Sequence, residues 1–287
     1  GANNIGIGDR AICTNTTGDC NVSVGYKALG ANTTADNNTA VGSCALLANT
    51  TGAENTAIGA NSLDANTTGA ENAAVGNDAL GANTTGSSNT AVGVKALFTA
   101  TTAGTNTAVG TQAMRLTTTG AENVAVGVLA LACNTTGTQN VAVGAEALRR
   151  NTTAASNTAL GMSALATTTT GAANTAVGLN SSVSLTTGTN NTSVGEGSGL
   201  EITTGSQNAM FGHNAGDNVT TGDNNALLGE SAGNDAVRNV TTGDNNIVIG
   251  NNSSATAHIK IDWTVTSDER DKMNFEPVPH GLDFVNK

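Results

Sequence analysis

Along residues 3–250 a segment of the form Asn-Thr-Ala-Val-Gly returns fifteen times, and larger and smaller side chains alternate within it. The second and fourth positions carry the bulk, as in Ile5/Ile7, Val22/Val24, Val124/Val126, Val141/Val143 and Ile247/Ile249, with Thr replacing the first member in many copies. Between them stands a small residue: Gly6, Ser23, then Ala from Ala40 to Ala176, then Ser193. A period of two marks a β-strand, whose successive side chains point to opposite faces. The larger pair is therefore expected to face the interior. The Ala column is expected to face outward, where it invites close approach by another surface.

A second short strand is predicted at the Ala-Leu pair, for example Ala28-Leu29, Ala45-Leu46, Ala79-Leu80, Ala130-Leu131 and Ala147-Leu148, with the Leu column completing the interior. Thr-Thr-Gly, as at Thr50-Thr51-Gly52 and Thr135-Thr136-Gly137, supplies the bend, since Gly tolerates positive φ at low cost. Fourteen closing glycines, from Gly8 to Gly229, keep a strict seventeen-residue spacing, and Gly250 arrives four residues late. Units this short bury apolar groups only by stacking on their neighbours. The expected fold is all-β: a parallel β-roll or β-solenoid of about fifteen 17-residue coils, forming a rod roughly 70 Å long at about 4.8 Å per stacked strand.

The first-position Asn is present in every coil: Asn4, Asn21, Asn38, Asn55, Asn72, Asn89, Asn106, Asn123, Asn140, Asn157, Asn174, Asn191, Asn208, Asn225 and Asn246. An amide carries both donors and an acceptor, so a stacked Asn ladder is expected to bond the coils above and below or to cap the turn backbone. One Val and one Leu per coil are a small apolar payload against the entropy of ordering the coil. Packing of the Ala column on sister chains, three about an axis, is the expected supplement. Near the C-terminal end Leu leaves its column at Ser182, Gly199, Gly216 and Gly233, while the small column grows to Met210, Leu227 and Val248. This predicts a remodelled cross-section, with a four-residue insertion within Asn234 to Val240.

Composition narrows the function classes. Aromatics are 2% of the chain and Ala, Thr, Asn and Gly dominate, which suits a thin linear core. Low complexity alone also describes disordered chains, but disorder imposes no register. The formal charge is −11 and the few Lys and Arg residues form no stripe, so nucleic acid is not an expected partner. No run of eighteen apolar residues is present, and no membrane insertion is expected. Cys13, Cys20, Cys44 and Cys133 show no metal-ligand spacing; Cys13 and Cys20 bracket one turn and are the one conceivable bridge.

His213, His258 and His280 are scattered, and Glu54, Glu71 and Glu122 recur singly in a turn column, where they read as solubilising charges. Gly222 to Asn225 and Gly243 to Asn246 repeat Gly-Asp-Asn-Asn without the regular acidic ladder of calcium-binding rolls. No cofactor, metal or turnover chemistry is expected. Asn-x-Thr sequons, as at Asn15, Asn32, Asn49 and Asn66, arise from the repeat itself. The chain opens on Gly1 in mid-repeat, as expected of a fragment of something longer.

These repeats resemble the head repeats of trimeric autotransporter adhesins and similar repeats of phage and phage-like tail fibres. The match is Asn-Thr-Ala-Val-Gly over roughly residues 3–250, with a period longer than the usual adhesin coil. The resemblance implies a left-handed parallel β-roll, three of which pack about an axis. At the end, Trp263 to Lys272 followed by Gly281 to Asn286 looks like the start of the intramolecular chaperone of endosialidase-type tail spikes, with its Ser-Asp-x-Arg-x-Lys signature at Ser267, Asp268, Arg270 and Lys272. That resemblance implies self-cleavage between Thr266 and Ser267 in a complete chaperone, with Ser267 as nucleophile and Lys272 as the amine that takes its proton. Equally, these residues read as a solvated helix start.

The expected organisation is a repeat solenoid over 1–254, a connecting segment over 255–266 and a truncated chaperone start over 267–287. The expected function is a homotrimeric structural fibre of a virion tail, located outside the host cell. Its expected partners are itself, other tail components at the N-terminal end and a host receptor or glycan, met on corner residues such as Tyr26, Lys27, Arg115, Arg149 and Arg150. Two alternatives stand beside it: a bacterial adhesin head, and an ice-binding solenoid built on the Thr-Thr columns.

Overall fold

The computed structural model describes residues 1–234 and 238–256, of which Gly1–Ser253 belong to one compact unit. Fifteen three-residue strands, from β1 (Ile5–Ile7) to β15 (Ile247–Ile249), form a single parallel sheet in sequence order, giving about fourteen complete turns of a β-solenoid. No helix occurs among the described residues. The register is that of the repeat: Ala108 lies beside Ala125, and Ala125 beside Ala142. At the last step Leu227 pairs with Val248, and the stacked Thr220 and Thr241 are 21 residues apart instead of 17. The extra residues fall where Asn234 and Asn239 make an isolated antiparallel bridge.

The closing glycine of each strand explains the strict spacing. Gly127 has φ +138, and a Cβ there would lie 2.5 Å from the Gly144 carbonyl oxygen of the next coil. Only glycine fits both the backbone angle and the approach.

The Ala-Leu segment is not a second strand. It is a chain of turns in which Leu takes the left-handed conformation, with φ 48 at Leu29, 50 at Leu46 and 52 at Leu131. The residue two earlier does the same, as at Lys27 and Cys44. Hydrogen bonding between coils survives this curl, since Leu29 N–H donates to Ala45 O at 3.0 Å and Lys27 N–H to Asp9 O at 2.9 Å. A left-handed Leu costs about 1–2 kcal/mol. Full burial of its side chain returns about 1.5–3 kcal/mol, and Leu29, Leu46 and Leu131 are wholly buried.

The two faces of the strand are the reverse of the expected ones. The small central residue lies inside, with Ala40, Ala57, Ala74, Ala91, Ala108 and Ala125 fully buried, while the larger residues on either side of it are half-buried or exposed. The physical reason is width. Each regular coil already places one Leu, the Ala before it and two Asn side chains inside, as with Leu46, Ala45, Asn38 and Asn49. A methyl group is what the remaining gap accepts. The Ala column is therefore a core column, and the expected threefold interface on it is withdrawn.

Toward the C-terminal end the interior is rebuilt as anticipated, by a route that involves a further column. Where Leu gives way to Ser182, Gly199, Gly216 and Gly233, the second Asn column becomes Leu185, Ile202, Val219 and Val240, all buried. Met210 and Leu227 add bulk from the strand centre: a Cβ at Gly216 would lie 2.6 Å from Met210 Sδ and 2.7 Å from Leu227 Cδ1. At the start of this change Ser182 Oγ donates to Ser193 Oγ at 2.7 Å and Ser181 Oγ to Ser193 O at 3.0 Å. Small hydroxyls bridge the gap between the two packings.

Candidate functional surfaces

The Asn ladder begins from the strand entry. Each buried Asn accepts, through its side-chain oxygen, the main-chain N–H of the next Asn: Asn140 N–H to Asn123 Oδ1 at 2.9 Å, Asn123 N–H to Asn106 Oδ1 at 3.0 Å. Its amide nitrogen donates to the turn carbonyl that follows, as Asn123 Nδ2 does to Gly137 O at 2.9 Å. The ladder thus ties coil to coil and strand to turn. Of the fifteen residues, Asn4 is half-buried at the N-terminal end and Asn246 at the C-terminal end.

A second ladder escaped the sequence reading. Asn49 Nδ2 donates to Asn32 Oδ1 at 3.1 Å and to Gly52 O at 2.9 Å, and Asn66 repeats the pattern on Asn49 and Gly69. The three-residue gap from this Asn to the turn residue, Gly52 after Asn49 and Ala35 after Asn32, belongs to an ordinary turn sequence and gave no separate signal. Asn32, Asn49 and Asn66 are fully buried, so these sequons are closed to glycan attachment in the folded chain. The ladder breaks where Ala100 replaces Asn, leaving Asn83 Oδ1 and Thr117 Oγ1 buried without partners.

The outside divides into faces of different chemistry. The Thr-Thr turn shows only its second residue to solvent. The first is half-buried and its hydroxyl is engaged, as in Thr50 Oγ1 to Thr67 O at 3.0 Å. The expected double Thr array is thus a single exposed column. Beside it run the acidic turn residues, whose carboxylates serve the stack: Asp36 Oδ1 accepts Asp19 N–H at 2.7 Å and Asp244 Oδ1 accepts Asp223 N–H at 2.8 Å. Glu71 and Glu122 accept from Ser88 and Gln139 of the next coil. No cluster able to hold a metal ion occurs among the described residues, and no helix there is long and apolar enough to cross a membrane.

The corner residues are not gathered into one site. Lys27 lies 5.2 Å over the Tyr26 ring near the N-terminal end, beside an open groove of about 360 Å³ lined in part by Arg10, Cys13, Thr14 and Leu47. Arg149 pairs with Glu146 at 3.4 Å, seven coils further along, roughly 34 Å away at the strand spacing. Arg115 falls between them. All four cysteines are free, Cys13 and Cys20 exposed, so the one conceivable bridge is not formed. Ser267, Lys272, His258, His280 and the chaperone-like signature lie outside the described residues.

No known protein family matches the chain, and no curated protein does.

The sheet face remains. Its outward columns, represented by Thr90 and Val92 in one coil and Val124 and Val126 in another, contain no charged residue in any of the fifteen strands. Exposed large apolar side chains recur along it, among them Ile58, Val75, Val92, Val126, Leu160, Phe211 and Leu228. Like the Thr-Thr turn column this face is free of charge, and unlike that column it exposes large apolar side chains.

Two ionisable groups bear on stability. Burial raises the Asp64 carboxyl above its usual value of 3.8, and the neighbouring charge of Asp78 pushes in the same direction, against main-chain hydrogen bonds that lower it. Asp217 is raised for the same first reason, burial.

Proposed function

We propose that this chain is the shaft or head section of a homotrimeric fibre from a phage or phage-like tail, projecting from the particle and presenting its corners to a host receptor or glycan. The observation that carries the reading is an uninterrupted rod of stacked coils followed in sequence by Ser267-Asp268-Glu269-Arg270-Asp271-Lys272, a signature similar to that of fibre chaperones. In this reading the partners are two further copies, tail components toward the N-terminal end, and the receptor. A bacterial adhesin head would use the same rod, and a longer open reading frame separates the two. Light scattering after size exclusion tests the proposal: three times the chain mass of 28.2 kDa supports it, and a monomer at micromolar concentration overturns it.

A further inference from the structure

We infer that copies of this chain associate through the outward sheet face, in parallel and in coil-for-coil register; this rests on the fibre reading above and assigns its contact surface. Three observations carry it. First, the face is apolar out of proportion to its surroundings. Val92 is 36% exposed, Leu160 40%, Phe211 41% and Leu228 52%. Exposed apolar residues of this kind occur in nine of the fifteen strands, and with the half-buried ones between them they amount to several hundred to about 1,000 Å² of apolar surface, beyond the few hundred Å² common on monomers.

Second, the absence of charge from every strand position fits a self-contact by a chain of net charge −11, whose copies would otherwise repel. The carboxylates stand in other columns, as with Asp36, Glu71 and Glu122. Third, the face is periodic. Its side chains recur once per coil at the strand spacing of about 4.8 Å. A partner covering the whole length must carry the same rise, and a second copy lying parallel does so at every coil. Register is fixed by the coils that differ: Phe211 and Leu228 are the largest outward residues of their strands, and each stands beside a small one, Ala209 and Ala226. A slip by one coil would set Phe211 against the wrong neighbour.

The test uses the chain as it stands, with Cys13, Cys20, Cys44 and Cys133 changed to Ser to clear the background. Val126→Cys places a thiol on the sheet face, and Thr119→Cys places one on the exposed turn column. Since Val126 is 37% exposed in the single chain, both thiols label readily in a monomer. In the assembly, labelling of Val126→Cys is expected to be at least tenfold slower than that of Thr119→Cys. Independently, Val75→Asp, Val92→Asp and Val126→Asp combined should reduce the particle to single-chain mass, while Thr68→Asp, Thr85→Asp and Thr119→Asp combined should leave it assembled. Should the first triple variant lose its β-sheet circular dichroism, the labelling ratio alone decides. An assembled parent whose two thiols label equally fast overturns the sheet-face contact and leaves the fibre reading standing. A monomeric parent overturns both, and thermal hysteresis from that monomer would give the face to ice.

Discussion

Replacing Asn123 by Ala removes the amide that ties its coil to both neighbours and leaves one buried main-chain donor without an acceptor. The Asn140 main-chain N–H loses its acceptor at 2.9 Å, while Gly137 O loses one of its two donors at 2.9 Å and keeps Asn134 Nδ2 at 3.0 Å. Asn140 is buried, so its N–H gains no water in exchange. An orphaned buried main-chain group costs about 1–3 kcal/mol, and the lost amide volume adds a small cavity, so the expected destabilisation is about 2–4 kcal/mol. Thr119→Ala, on the exposed turn column of the preceding coil, should cost under about 0.5 kcal/mol.

Asn123→Asp separates the two bonds. The isosteric carboxyl keeps the acceptor for Asn140 but, when ionised, turns an oxygen toward Gly137 O where an N–H had been. The folded state then favours the protonated acid, and its pKa lies above the unfolded value of about 3.9. Stability close to the parent is expected below about pH 4 and is lost as pH rises through the raised pKa. Urea titrations followed by circular dichroism at several pH values measure both effects. Because coils touch only their neighbours, the slope of the transition should also fall as the two halves uncouple. An Asn123→Ala loss below about 1 kcal/mol, or an Asn123→Asp deficit that does not change with pH, would refute the ladder as the element joining the coils.

Gly127→Ala should prevent stacking at that coil, since φ is +138 and the new Cβ would meet Gly144 O at 2.5 Å; a circular dichroism melt indistinguishable from the parent would contradict this. Gly216→Leu should cost about 1–3 kcal/mol by overpacking against Met210 and Leu227, and Met210→Ala in the same chain should recover part of it, which chemical denaturation of the single and double variants measures. Asp64→Asn should raise the melting temperature at neutral pH, because burial raises the Asp64 carboxyl and its contribution to stability is lost as pH rises through that value. The gain should vanish below the ordinary carboxylate range, and a gain constant with pH would count against burial as its cause.

The period, the parallel stacking and the position of the late insertion were all legible in the sequence, because glycine at one place per coil is a backbone demand with no substitute. Asn123 and its equivalents also announced themselves, since an amide repeated fifteen times is hard to read as surface decoration. What could not be read was the conformation of Leu29 and its equivalents. Leu carries no local sign that it will sit at positive φ, and the pair Ala28-Leu29 fits a strand equally well by pattern. Burial in the assembled stack overrides the residue's own preference there. The second Asn ladder was hidden for a different reason: Asn49-Thr50-Thr51-Gly52 is also an ordinary turn sequence, so its cross-coil bonds had no separate signature.

The sidedness of the strand shows where pattern reasoning stops and volume takes over. Alternation says that Thr90 and Val92 share one face and Ala91 the other, but it is symmetric between inside and outside. The tie is broken by what else each coil must enclose. Leu97, Ala96 and Asn89 already fill the section beside Ala91, whereas the coil ending at Gly216 has no side chain at the Leu position and takes Met210 from the strand centre instead. Inward bulk is therefore set by the sum over the coil, and the strand centre adjusts to whatever the turn leaves free. The outward pair is released from that constraint and yet stays free of charge from β1 to β15. The exposed Thr turn column is equally free of charge, so what sets apart the thirty outward positions, two in each of fifteen strands, is the large apolar side chains exposed there. The self-contact inferred above would account for that exposure along the length of the sheet.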